Sequence, residues 1–89
     1  MAKTFAGVTK EYAQDNLLWV VKYVGYREVV TGAELRNKAK WWENEDIRDI
    51  DVAAKQADPI MQKFLDEWEK LNRQEGWMTI HELYEKYAE

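Results

Sequence analysis

The sequence contains no cysteine and no serine, and it has one histidine, one proline and four glycines. Without thiol or serine hydroxyl groups, the common cysteine and serine nucleophiles are excluded. His81 could build a zinc site only with several carboxylates or a second chain. Gly7, Gly25, Gly32 and Gly76 are too far apart to form a phosphate-binding loop. We therefore expect no enzymatic activity, no metal and no other cofactor.

Long apolar runs are also missing. The longest strictly apolar run covers residues 17–21, whereas a membrane span needs roughly 20 such residues. The first eight residues contain no apolar segment typical of a signal peptide, and a secreted domain of this size usually has disulfides. We expect a cytoplasmic protein with no membrane partner.

The composition predicts one folded domain over residues 1–89. The chain is 46% hydrophobic and includes five Trp, five Tyr and two Phe. Large rings give a short chain an efficient way to bury apolar area. Charged residues make up 34% of the chain, so a solvated surface around a single core is expected.

The clearest predicted element is a helix over residues 59–75. Asp58 fits the N-cap and Pro59 fits the first helical position, where its missing N–H costs no helical hydrogen bond. An apolar stripe follows at helical spacing, made of Met61, Phe64, Leu65, Trp68 and Leu71. Gly76 is then placed to end the helix.

A repeated motif predicts two further helices. Thr31 with Glu34, and Thr79 with Glu82, each fit a capping box followed by Leu. The predicted helices cover residues 32–44 and 80–88. Asp46 would cap another helix over residues 47–57, and Thr9 would cap one that continues to Gly25.

These patterns predict an all-α fold, a compact bundle of four to five short helices. The alternative is an α+β fold with an N-terminal hairpin around Gly25. Residues 19–24 and 26–30 are rich in β-branched and aromatic side chains, which favour strands.

Most aromatic residues are predicted to lie in the core because they fall at helical spacing. This group comprises Trp19, Trp42, Phe64, Trp68, Trp77, Tyr84 and Tyr87. Trp41 is predicted to lie at the edge of the core, where it could anchor a partner. His81 is predicted to be a solvated surface residue.

The candidate partner-binding residues are mainly acidic. They are Trp41, Glu43, Glu45, Asp46, Asp49, Asp51, Asp66 and Glu69. Five of these acids lie within residues 43–51, where only Arg48 offsets their charge. This acid-rich stretch predicts a docking surface for Lys or Arg side chains of a protein partner. Alternatively, these acids are ordinary solvated residues at a helix N-terminus.

The charge distribution supports the same hypothesis. Residues 1–40 carry seven Lys/Arg against four Asp/Glu, a net of +3, while residues 41–89 carry six against thirteen, a net of −7. Direct nucleic-acid binding needs concentrated positive charge, and the basic group Arg36, Lys38 and Lys40 is soon followed by acids. We expect little such binding.

The predicted function is stoichiometric binding of a protein with a basic surface, as an inhibitor or adaptor. An acidic, cysteine-free chain of this style fits a phage or mobile-element protein that targets a host protein, and its carboxylates could mimic nucleic-acid phosphates. A small DNA-binding regulator with a helix-turn-helix-like unit and a virion or complex assembly component are the alternatives. The sequence is compatible with a homo-oligomer under each of these functions.

Overall fold

The computed structural model describes residues 3–38 and 43–89, and these residues form an α+β fold. Two antiparallel sheets, of two and three strands, are combined with four helices. The strands are β1 (Thr4–Phe5), β2 (Val8–Thr9), β3 (Leu18–Tyr23), β4 (Arg27–Thr31) and β5 (Ile47–Val52). The helices are α1 (Lys10–Asn16), α2 (Gly32–Asn37), α3 (Pro59–Glu75) and α4 (Ile80–Tyr87). The predicted all-α bundle is therefore wrong, and the alternative with a hairpin around Gly25 is correct.

The N-terminal helix begins where it was predicted but ends much earlier. Thr9 caps α1 by accepting a hydrogen bond from the Tyr12 N–H at 3.2 Å. The chain then becomes extended at Leu17, and β3 and β4 pair in antiparallel register with Gly25 in the turn at a φ of 84°. A positive φ suits glycine, and the β-branched residues on both sides favour the pleated geometry that replaces the helix.

The helix predicted over residues 47–57 is also wrong, because Ile47–Val52 is strand β5. This strand pairs antiparallel with β3, which is central in the order β4-β3-β5. The apolar spacing of Ile47 and Ile50 fitted a helix, but Ile50 and Val52 also alternate with acidic residues as a strand requires. A register shift next to Lys22 accommodates the additional residue near Ile47.

The two C-terminal helices match their predictions closely. Helix α3 has Asp58 as N-cap, Pro59 at its start and Gly76 as C-cap. Thr79 caps α4 through the Glu82 N–H at 3.2 Å, and Thr31 caps α2 through the Glu34 N–H in the same way. Helix α2, however, ends at Asn37 instead of residue 44, and residues 39–42 of that prediction lie outside the described residues.

Most of the buried apolar side chains in the described part of the chain form two clusters. The main cluster joins α1, α3 and α4, and its buried members are Val8, Ala13, Leu17, Met61, Phe64, Leu65, Trp68, Met78, Leu83 and Tyr84. The sheet cluster lies between α2 and the three-stranded sheet, and its buried members are Val21, Val30 and Leu35. Half-buried Trp19 contacts both clusters.

Of the rings predicted to be in the core, three are buried, two are half-buried and one is exposed. The buried rings are Phe64, Trp68 and Tyr84. Trp19 and Tyr87 are half-buried, whereas Trp77 is 66% exposed. Trp42 lies outside the described residues. Within residues 3–38 and 43–89, every helix is too short or too polar to span a bilayer.

Candidate protein-binding surface

Asp49 and Asp51 project from β5 on either side of a lysine. Lys22 Nζ lies 3.8 Å from Asp49 Oδ2 and 3.0 Å from Asp51 Oδ2. The hydrogen bond and the charge of Asp51 are the main causes that raise the pKa of Lys22, while desolvation and, more weakly, the charge of Arg27 act against them. Two of the predicted acidic residues are therefore already matched by positive charge from the same face of the sheet.

The other acids of this stretch lie in the loop before β5. Glu43, Glu45 and Asp46 are all exposed. The Asp46 N–H donates to Asn44 Oδ1 at 2.9 Å, and the Asp46 carbonyl accepts the Val24 N–H at 3.0 Å. Among the described residues, no Lys or Arg forms an ion pair with these three carboxylates. Within the described residues, the loop thus presents carboxylates without an ion-pair partner, and its backbone is hydrogen-bonded to the β3–β4 turn.

That turn exposes apolar side chains. Val24 is 55% exposed and Tyr26 is 62% exposed, and Val29 further along β4 is 57% exposed. The Tyr26 ring stacks on Tyr23 with centroids 4.6 Å apart and planes at 12°. We call Val24, Tyr26, Glu45 and Asp46 the hairpin-end surface, in which the exposed apolar turn is joined to the acidic loop by the backbone hydrogen bond from Val24 to Asp46.

A polar network holds the stacked ring in place. The Tyr23 hydroxyl donates to Glu28 Oε1 at 2.7 Å, and Lys38 forms an ion pair with the same carboxylate and lies over the Tyr23 ring. The hydrogen bond from Lys38, followed by that from Tyr23, lowers the pKa of Glu28, and the pKa of Lys38 is raised in turn. These contacts hold the Tyr23 ring, on which Tyr26 stacks, in the protein without a partner.

The predicted acids on α3 lie on a different element. Asp66 is exposed and accepts a hydrogen bond from the Gln62 amide at 3.2 Å. Glu69 lines a shallow groove together with Asn72, Arg73 and Trp77, which we call the Trp77 groove. The fold therefore does not bring Asp66 and Glu69 into the loop of residues 43–46. Trp41 lies outside the described residues.

His81 takes part in a small polar cluster. Its Nδ1 lies 2.9 Å from Lys10 Nζ, and its Nε2 lies 2.9 Å from Glu85 Oε1. The neutral ring can accept from Lys10 and donate to Glu85 with a single tautomer. The side chain is 64% exposed, and the described residues contain no group of three or more potential metal ligands.

Sequence reasoning missed the apolar part of the hairpin-end surface. The helix predicted from Thr9 to Gly25 includes Val24 and ends before Tyr26, to which it assigns no role. The signal that could have found them is Gly25 between two apolar residues, because a glycine turn places its neighbours at the end of a hairpin. The acids of the loop, in contrast, are evident from their density in the sequence.

No protein-family model matches this chain, and neither a curated protein nor a solved structure does. The geometry and charge of the exposed residues are therefore the features of this chain that indicate a function.

Proposed function

We propose that this protein is an acidic binding module that acts stoichiometrically on a protein partner with a basic surface, as an inhibitor or adaptor. The contact is the hairpin-end surface. The single observation that carries the proposal is the hydrogen bond from the Val24 N–H to the Asp46 carbonyl, which joins the exposed end of the hairpin to the acidic loop. Interfaces commonly combine an exposed aromatic or apolar centre with charged residues around it.

Electrostatics favour a basic partner for this surface. Glu45 and Asp46 have no ion-pair partner among the described residues, and the whole chain has a net charge of −4. Exposed carboxylates steer a basic partner during encounter, and apolar contact at Tyr26 then slows dissociation. The candidate carboxylates of the described residues lie in a loop, on a strand and on a helix, so we propose a compact contact and not an extended mimic of a phosphate backbone.

Three double variants with the same change in net charge test the location of the contact. Glu45→Gln with Asp46→Asn removes the loop charges, Asp49→Asn with Asp51→Asn removes the strand charges, and Asp66→Asn with Glu67→Gln removes helix charges. Each variant is used for affinity capture in a salt gradient, and the captured protein is then titrated against each variant by calorimetry.

We expect the loop variant to weaken binding most, by roughly tenfold, since it removes two charges that would face the partner directly. The strand variant should have a smaller effect because Lys22 already offsets Asp49 and Asp51. Tyr26→Ser should weaken binding with little change in its salt dependence. Equal effects of all three charge variants would contradict a contact at the hairpin end.

A further inference from the structure

Trp77 is a large exposed ring that packs against a buried tryptophan. It is 66% exposed, and its centroid lies 5.1 Å from that of buried Trp68. The backbone on both sides is fixed by hydrogen bonds. The Gly76 N–H donates to the Asn72 carbonyl at 2.9 Å and the Met78 N–H donates to Asn72 Oδ1 at 3.0 Å. The Met78 carbonyl accepts from Trp68 Nε1 at 3.1 Å. A partner could therefore bury this ring with little loss of conformational freedom.

Two opposite charges lie beside this ring, one helical turn apart. Glu69 and Arg73 both line the Trp77 groove, and neither joins an ion pair within residues 3–38 and 43–89. When two copies of a helix pack antiparallel about a two-fold axis, each residue faces a residue of the second copy. If the first residue lies n positions before the axis, the residue that it faces lies n positions after it. An axis near position 71 places Glu69 opposite Arg73 of the second copy, and Arg73 opposite its Glu69.

We propose that the Trp77 groove is a self-complementary interface, and that its occupant is the α3 helix of a second copy of this chain. The charge pair is satisfied twice in this arrangement, as a closed two-fold dimer requires. The two Trp77 rings pack against the partner helix on either side of the axis. The interface includes none of the residues of the hairpin-end surface.

Charge reversal and its double exchange test the proposal. Glu69→Arg or Arg73→Glu alone places like charges opposite each other at two symmetric positions, and the dimer dissociation constant should rise by roughly tenfold or more. Glu69→Arg combined with Arg73→Glu restores both opposite-charge pairs and should restore the wild-type constant. Sedimentation equilibrium over a concentration series gives each constant directly.

Glu67→Arg is the matched control, because it makes the same charge change on α3 outside the groove and should leave the constant unchanged. Trp77→Ala should abolish dimerisation, but it also uncovers Trp68, so its thermal unfolding is measured alongside. A wild-type protein that stays monomeric up to about 1 mM overturns the proposal. An effect of Glu67→Arg as large as that of Glu69→Arg, or a double exchange that fails to restore the dimer, overturns it as well.

Discussion

Gly32 occupies a position with no space for a side chain. A Cβ there would lie 1.7 Å from the Gln14 carbonyl oxygen and 2.8 Å from its carbon. Both are backbone atoms of α1, and the Gly32 N–H donates to the Leu17 carbonyl at 2.8 Å. The first turn of α2 can therefore approach α1 only because residue 32 is glycine.

We expect Gly32→Ala to lower the free energy of unfolding by about 3 kcal/mol or more, since α1 and α2 must move apart. Gly76→Ala is the comparison. Gly76 has a φ of 90° and a ψ of 167°, but a methyl group added there would meet nothing within 4 Å, so only backbone strain of roughly 1–3 kcal/mol applies. Urea denaturation measures both values, and equal losses would contradict a steric role for Gly32.

The Tyr84 hydroxyl donates to the Val8 carbonyl at 2.7 Å inside the main cluster. Burial, assisted by the charge of Glu11, raises the pKa of Tyr84 to about 12. An unfolded tyrosine ionises near pH 10, so the folded state holds this proton more tightly. The stability contributed by Tyr84 is complete below about pH 10 and is lost as the pH rises toward 12.

We expect Tyr84→Phe to cost about 1–2 kcal/mol at neutral pH, because the Val8 carbonyl loses its donor. Above about pH 10, the stability of the wild type should fall more steeply than that of the variant. Urea unfolding at a series of alkaline pH values measures both slopes. Parallel curves would mean that Tyr84 does not keep its proton in the folded state.

The Gln56 side chain caps the three-stranded sheet at the end where β3 begins and β5 stops. This residue is only 5% exposed. Its Oε1 accepts the Leu18 N–H at 2.7 Å, and its Nε2 donates to the Ala53 carbonyl at 2.6 Å. One amide therefore satisfies the start of β3 and the residue after β5.

Gln56→Met keeps a similar volume but removes the side-chain partners of the Leu18 N–H and the Ala53 carbonyl. We expect a loss of about 2–6 kcal/mol in the free energy of unfolding, from about one to three for each of the two buried unpaired groups. Gln74→Met, an exposed position on α3, should change stability by less than about 0.5 kcal/mol. Thermal unfolding followed by circular dichroism compares the two variants. An unchanged stability of Gln56→Met would contradict the capping role of Gln56.

The elements that sequence reasoning found are those whose ends are fixed locally. Helix α3 is bounded by Asp58, Pro59 and Gly76, and α4 by the Thr79 cap. Strand β5 was missed because its conformation depends on β3, and Val21 pairs with Ile50 across 29 positions of sequence. Local pattern and capping carry no information about such a distant partner.

The candidate surface divides in the same way. The density of carboxylates in residues 43–51 is a local property, so Glu45 and Asp46 could be named from the sequence. Their position beside Val24 depends on a backbone hydrogen bond between two distant segments. The ion pair between Asp51 and Lys22 likewise depends on strand pairing. The sequence alone does not distinguish Asp51 from Glu45 and Asp46, which have no ion-pair partner among the described residues.

At the scale of the whole molecule, the two apolar clusters differ greatly in extent. Counted over residues 3–38 and 43–89, the main cluster includes ten buried residues, whereas the sheet cluster includes three. Within the described residues, Trp19 is the half-buried side chain that packs against both clusters. Regions with fewer buried apolar contacts open at lower free energy, so the sheet with α2 is expected to open before the helices of the main cluster.

The same truncation, Leu to Ala, can be made in each cluster, as Leu35→Ala in the sheet cluster and as Leu83→Ala in the main cluster. Leu83 is fully buried in the main cluster, and its truncation should lower the global free energy of unfolding by about 2–5 kcal/mol. The slowest amide protons throughout the protein would then exchange faster. Leu35 packs in the sheet cluster, so its truncation should accelerate exchange mainly in β4 and α2, with a smaller change in α3. Native-state hydrogen exchange resolves these regions. If Leu35→Ala accelerated α3 and β4 equally, the two clusters would form one cooperative unit, and partner binding at the hairpin end would then stabilise the whole molecule equally.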